Sequence, residues 1–169
     1  LDGLEGRLLG VDVREDVIAN SRTRAEQLEF ADARFVASTL ESLEQAAMRD
    51  ALGGAPQLVI SLHACDTATD AALALAVRGE VEWILCVPCC QAELARQLDG
   101  AKNVLVPAAV EHGLLRRSFG ELLTDALRVE VLEACGYEVA VVEFVASSHT
   151  PKNLLLRARR ARAWTPEQW

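Results

Sequence analysis

The side chains most able to do chemistry crowd into two short stretches, LHACD at Leu62 to Asp66 and CVPCCQ at Cys86 to Gln91. His63, followed by Cys65 and Asp66, could supply a proton acceptor or polar walls around a substrate, because imidazole titrates near neutrality. The same histidine could equally cap the next helix or satisfy a backbone group. Cys86 and Cys89, spaced C-x-x-C, could exchange disulfides if a helix N-terminus lowered a thiol pKa. Cys86, however, lies inside the apolar run WILCV, where a thiol behaves as a small hydrophobe. Zinc held by His63, Cys65, Cys89 and Cys90 would suit imidazole and thiolate ligands, but the spacing matches no known zinc pattern, so no metal is expected.

Asp12 ends the apolar run RLLGVDV. An acidic side chain at the end of a strand can accept hydrogen bonds from ribose hydroxyls, or can simply sit at the N-terminus of the following helix. A glycine-rich turn belongs roughly 20 residues before such an aspartate, and the chain starts too late to contain one. Lys152 and Asn153, in the loop HTPKN from His149, could meet a phosphate or a carboxylate, although a turn built on Pro151 and Asn153 explains the same letters. Local basic clusters occur at Arg116 and Arg117 and at Arg157, Arg159, Arg160 and Arg162.

The elements that must position these groups alternate in type. Strands are predicted over 7–13, 33–37, 57–62 and 83–87, each a short apolar run bounded by turn residues or charges. Both strands that end in the reactive stretches read as buried. Helices are predicted over 15–28, 69–78, 92–98 and 116–134, and a further helix carries Leu40, Leu43 and Ala47 on one face, with Ser38 and Thr39 as caps and Gly53 and Gly54 as its stop. Thr67 and Asp70 suggest a capping box. The long helix is expected to bury Phe119, Leu122, Leu123, Ala126 and Val129, and the run 104–106 has no clear type. Two adjacent long strands, 137–146 and 153–161, require an antiparallel hairpin. The alternation predicts α/β architecture with a mostly parallel sheet, in which successive strand ends face one cleft.

Length and composition bound the possibilities. The 169 residues, 51% of them hydrophobic, suffice for one domain spanning 1–169. A net charge of −8 argues against a nonspecific nucleic-acid coat while leaving local basic patches able to bind phosphate. No apolar run reaches the roughly 18 to 20 residues needed to span a bilayer, so no membrane partner is expected and the location is read as cytoplasmic. Five cysteines, three of them within five positions, make a poor disulfide framework and are read as reduced thiols. Opening at Leu1 with a strand almost at once, the chain reads as the later part of a longer protein.

In order along the chain, Asp12 at a strand end, LHACDTATD, CVPCCQ, TDALR at Thr124 to Arg128, GYEVAVVEF and HTPKN resemble the class I S-adenosylmethionine-dependent methyltransferases. The narrower likeness is to a branch with Leu-His-x-Cys and Cys-Cys motifs, which includes the rRNA adenine dimethylase domain-containing proteins. The resemblance implies a Rossmann-like sheet lacking its first strand and closed by the antiparallel hairpin. It implies S-adenosylmethionine as cofactor, with Asp12 on the ribose, Ser38, Thr39 and Leu40 near adenine, and Leu62 beside the methionine end. His63 and Asp66 would serve catalysis, and Cys65, Cys89, Cys90, Gln91, Lys152 and Asn153 would lie on the acceptor side. The acceptor could be RNA or a small molecule. The Asn-Pro-Pro-aromatic signature of N6-adenine methylases is not present. Without the glycine turn, this stretch alone is expected to bind the cofactor poorly and to be inactive. The rival readings are a thiol redox protein using Cys86 and Cys89, and a noncatalytic module that keeps the fold.

Overall fold

The computed structural model describes residues 6–62, 64–88, 91–102, 105–145 and 153–162. They fall into two units, Leu1–Pro56 and Gln57–Trp169.

The first unit runs β1 (Leu8–Asp12), α1 (Glu15–Gln27), β2 (Ala33–Ala37), α2 (Gln45–Leu52). Short apolar runs make the strands, which pair in parallel from Leu8 opposite Ala33 to Asp12 opposite Ala37. Glu15 and Asp16 stand in the first turn of α1, where they complement the helix dipole. The helix expected from Leu40 starts only at Gln45. Ser38 and Thr39 do not cap it. Their hydroxyls lie 3.0 and 2.9 Å from that of Ser42, and the Ser42 N–H donates to Thr39 Oγ1, so the hydroxyls build a separate turn that competes with helix. Gly53, at φ +66°, then closes α2.

The second unit runs β3 (Leu58–Leu62), α3 (Thr67–Arg78), β4 (Trp83–Val87), α4 (Glu93–Gln97), α5 (Pro107–Glu111), α6 (Gly113–Ala134), β5 (Tyr137–Glu143), β6 (Leu154–Arg160). Its four strands are ordered β3-β4-β6-β5. The pair β3–β4 is parallel, whereas β6 runs antiparallel to β4 on one side and to β5 on the other. The described strands thus form two sheets in place of the single, mostly parallel sheet expected. The hairpin strand returns between its neighbours, so it contributes two antiparallel pairings and not one. Ile84, Cys86, Leu156 and Ala158 pack from the sheet against Leu73 and Ala76 of α3 and Leu132 of α6.

Four further departures from the sequence reading have physical causes. The strand β3 pairs only with β4 among the described residues, and its alternate side chains Leu58, Ile60 and Leu62 are 45%, 57% and 49% exposed, so it is not buried on both faces. The expected Thr67–Asp70 capping box gives way to an ion pair, because the Asp70 carboxylate is taken by Arg128 of α6. The long helix buries Gly120, Asp125, Arg128 and Leu132, leaving Leu122 exposed. Gly120 is where α4 lies against α6: a Cβ there would come within 3.0 Å of Ala95. The helix α5, which the sequence reading did not anticipate, opens on Pro107 at its first turn, where a missing N–H costs nothing.

Candidate functional site

In the first unit, the parallel register brings the ends of β1 and β2 side by side. The Ser38 N–H donates to the Asp12 carbonyl at 2.9 Å, and Asp12 Oδ1 accepts the Arg14 N–H at 2.8 Å. Asp12 and the Ser38–Thr39–Leu40 turn therefore occupy one strand-end edge, offering a carboxylate, two hydroxyls and a partly buried leucine. A carboxylate with two neighbouring hydroxyls is a donor and acceptor set of the kind that fits a vicinal diol, whose hydroxyls a carboxylate can accept.

In the second unit, the loops following β3 and β4 are bound together by charge. Asp66 Oδ1 accepts the N–H groups of Ala92 and Glu93 at 3.3 and 3.1 Å, and Oδ2 accepts from Arg96 at 3.1 Å. Burial raises the Asp66 pKa, but those N–H donors and Arg96 outweigh it and hold the carboxyl below its ordinary value. Asp66 also has φ +52°, ψ −125°, a strained backbone for a residue with a side chain. Its carbonyl is held there by Arg128 Nη2 at 3.1 Å.

Arg128 is the hub of this arrangement. Only 5% exposed, it donates Nε and Nη2 to the two Asp70 oxygens at 2.6 and 3.1 Å and Nη1 to Asp125 Oδ1 at 3.2 Å. Burial opposes its charge, yet Asp70 and Asp125 raise its pKa above the ordinary value, so it is a permanent buried cation. Asp125 Oδ1 in turn accepts from Gln91 Nε2 at 2.5 Å. The chain Asp66–Arg128–Asp125–Gln91 thus ties together the last residues of both reactive stretches.

Arg128, Asp125, Asp70 and Arg96 were not among the site residues expected from sequence. The signal was the Asp125–Arg128 spacing inside TDALR, an i, i+3 acid–base pair, which on most helices lies on a solvated face.

The cysteines behave differently from a redox pair. Cys86 is fully buried in β4, and burial pushes its thiol up to about 11, against a smaller opposing effect of Arg128. A thiol held neutral in a core is not a nucleophile at physiological pH, so the thiol-exchange reading is not favoured. Cys65 is exposed. Among the described residues no group of three or more His, Cys, Asp and Glu could hold a metal ion.

Asn153, expected on the acceptor side, closes the hairpin: its Nδ2 donates to Glu143 Oε1 at 2.8 Å and to the Val145 carbonyl at 2.6 Å. Leu62 ends β3 and is half exposed. His63, Cys89, Cys90 and Lys152 lie outside the described residues. No described helix is long and apolar enough to cross a membrane.

A family model described as a methyltransferase domain matches residues 2–97, more than half of the chain. No curated protein matches it.

Proposed function

The chain belongs to the methyltransferase-domain family, and from that premise we propose that it serves methyl transfer from S-adenosylmethionine. The observation that carries this reading is Asp12 standing beside the Ser38–Leu40 turn at the adjacent ends of two parallel strands. When bound, the cofactor supplies an electrophilic methyl group on a sulfonium. Asp12 would accept the ribose hydroxyls, and Ser38, Thr39 and Leu40 would border the adenine.

The acceptor side falls to the loops after β3 and β4. His63 follows β3 directly and is the group proposed to orient the acceptor or take its proton, since an imidazole can do so near pH 7. Asp66 assists by position: its carboxylate is spent on Ala92, Glu93 and Arg96, which fixes the turn after β4 relative to the turn after β3. Alignment of acceptor and methyl group is itself a large part of such catalysis. Gln91, Cys89, Cys90 and Lys152 are proposed as surroundings of the acceptor.

The test is methyl transfer from labelled S-adenosylmethionine by the intact protein, screened against RNA pools and small metabolites, with a His63→Ala variant alongside. Label transfer that drops about a hundredfold or more in His63→Ala, with cofactor binding retained, supports the assignment. Transfer at the unaltered rate would remove His63 from the mechanism.

A further inference from the structure

We propose that the trough between α3, α4 and α6 binds a small straight-chain carboxylate, its apolar chain lying along the trough and its carboxylate against Arg78.

The trough encloses about 510 Å³, within the range of small-molecule sites, and every residue that lines it belongs to the second unit. Its apolar walls come from three helices: Leu73 and Val77 from α3, Leu94 from α4, and Leu127, Val131 and Leu132 from α6. Leu73 and Leu132 are buried, whereas Leu127 and Val131, one turn apart on α6, stay nearly half exposed. Ala74 contributes only a methyl group to the α3 wall, which helps to keep the trough open. Large aliphatic side chains left open side by side along a concave wall are surface that an apolar ligand can cover.

Charge selects among apolar ligands, because the two ends of the trough differ. From Asp70 to Arg78, α3 rises about 12 Å. At the Asp70 end every lining acid is engaged, Asp70 by Arg128 at 2.6 Å, and Asp66 and Glu93 by Arg96 at 3.1 and 2.5 Å. At the other end Arg78 lines the trough and has no hydrogen-bond or ion-pair partner among the described residues. The acid nearest to it in sequence, Glu80, is held by Arg160 at 2.8 Å. Arg78 complements the dipole of α3 from its last turn, and its guanidinium is left open to take a carboxylate through two parallel hydrogen bonds. A second negative charge on the ligand would meet no second open cation, since Arg128, the other arginine of the lining, is already paired. The ligand that answers both the walls and the charge is an apolar chain with one carboxylate, and extended octanoate spans about the distance available. This site needs neither the cofactor nor the acceptor of the proposed methyl transfer, so it stands or falls apart from that reading.

The test is calorimetric titration of the intact protein with octanoate and, as the uncharged counterpart, 1-octanol. Octanoate is expected to bind about tenfold more tightly than octanol, and Arg78→Gln to erase about that factor while leaving octanol binding and thermal unfolding unchanged. A second variant probes the walls: Ala74→Phe, which fills the trough from α3, should weaken both ligands about tenfold or more. Should Ala74→Phe unfold early, Val131→Glu replaces it, because that partly exposed position accepts a charge that repels octanoate. Failure of octanoate to bind would overturn the proposal, as would octanol binding equally well or octanoate binding that ignores Arg78→Gln. Self-association of the protein that Val131→Glu abolishes, with no octanoate binding, would assign the trough to a second copy of the chain and overturn it as well.

Discussion

Arg128 of α6 grips Asp70 of α3 through both ends of its guanidinium, Nε to Oδ1 at 2.6 Å and Nη2 to Oδ2 at 3.1 Å. The same guanidinium reaches Asp125 and the carbonyl of Asp66, so one buried cation joins α3, α6 and the turn after β3. Breaking a buried pair by removing one partner leaves the other charge stranded. Arg128→Met should therefore cost about 3 to 5 kcal/mol, because the buried Asp125 and the Asp66 carbonyl would both lose the guanidinium that they face. Urea unfolding reads this directly, and a loss below about 1 kcal/mol would mean that the network is no more than a surface ion pair.

Asp66 sets a pH dependence whose sign follows from its environment. Its folded pKa lies below the ordinary carboxyl value despite the opposing effect of burial, since the Ala92 and Glu93 N–H groups and Arg96 favour the anion. The stabilisation is then fully present above the unfolded pKa of about 3.9, and is lost as pH falls through the lower folded value. Asp66→Asn should flatten the fall in stability on acidification through this window while lowering stability at neutral pH. Parallel acid-unfolding curves for the two proteins would show that Asp66 contributes nothing to it.

Thiol reactivity separates methyl transfer from disulfide exchange. With Cys86 buried and its thiol pushed up to about 11, alkylation near neutral pH should mark Cys65 promptly and reach Cys86 only when the protein opens. Mass-spectrometric mapping of iodoacetamide adducts against time reports both. Prompt modification of Cys86 would return the redox reading to contention.

Much of the element order could be read from the residues, because short apolar runs bounded by glycine and charge leave little choice. The strands 33–37 and 83–87 run over the residues predicted, and Gly136 follows α6 at φ +90°, as expected of a residue ending a helix. What could not be read was which polar groups would find each other across long sequence separations. Asp70 reads locally as a capping partner for Thr67, and only the return of α6 brings Arg128 to it from 58 residues away. The same limit hid the sheet order: the hairpin was legible, but the insertion of β6 between β4 and β5 depends on partners that no local pattern names. Gln91 was singled out for its place beside the cysteines. Its tie to Asp125, and the oxygen that tie leaves over, appear only in three dimensions.

The central claim is that Asp12 belongs to a site for S-adenosylmethionine. Calorimetric titration of the intact protein with the cofactor, in wild-type form and as Asp12→Ala, tests it most directly. Saturable binding by the wild type is expected, with about a tenfold or greater loss in Asp12→Ala, the cost of removing a charged acceptor from the ribose hydroxyls. Equal affinity in the two proteins, or no binding by either, would contradict it.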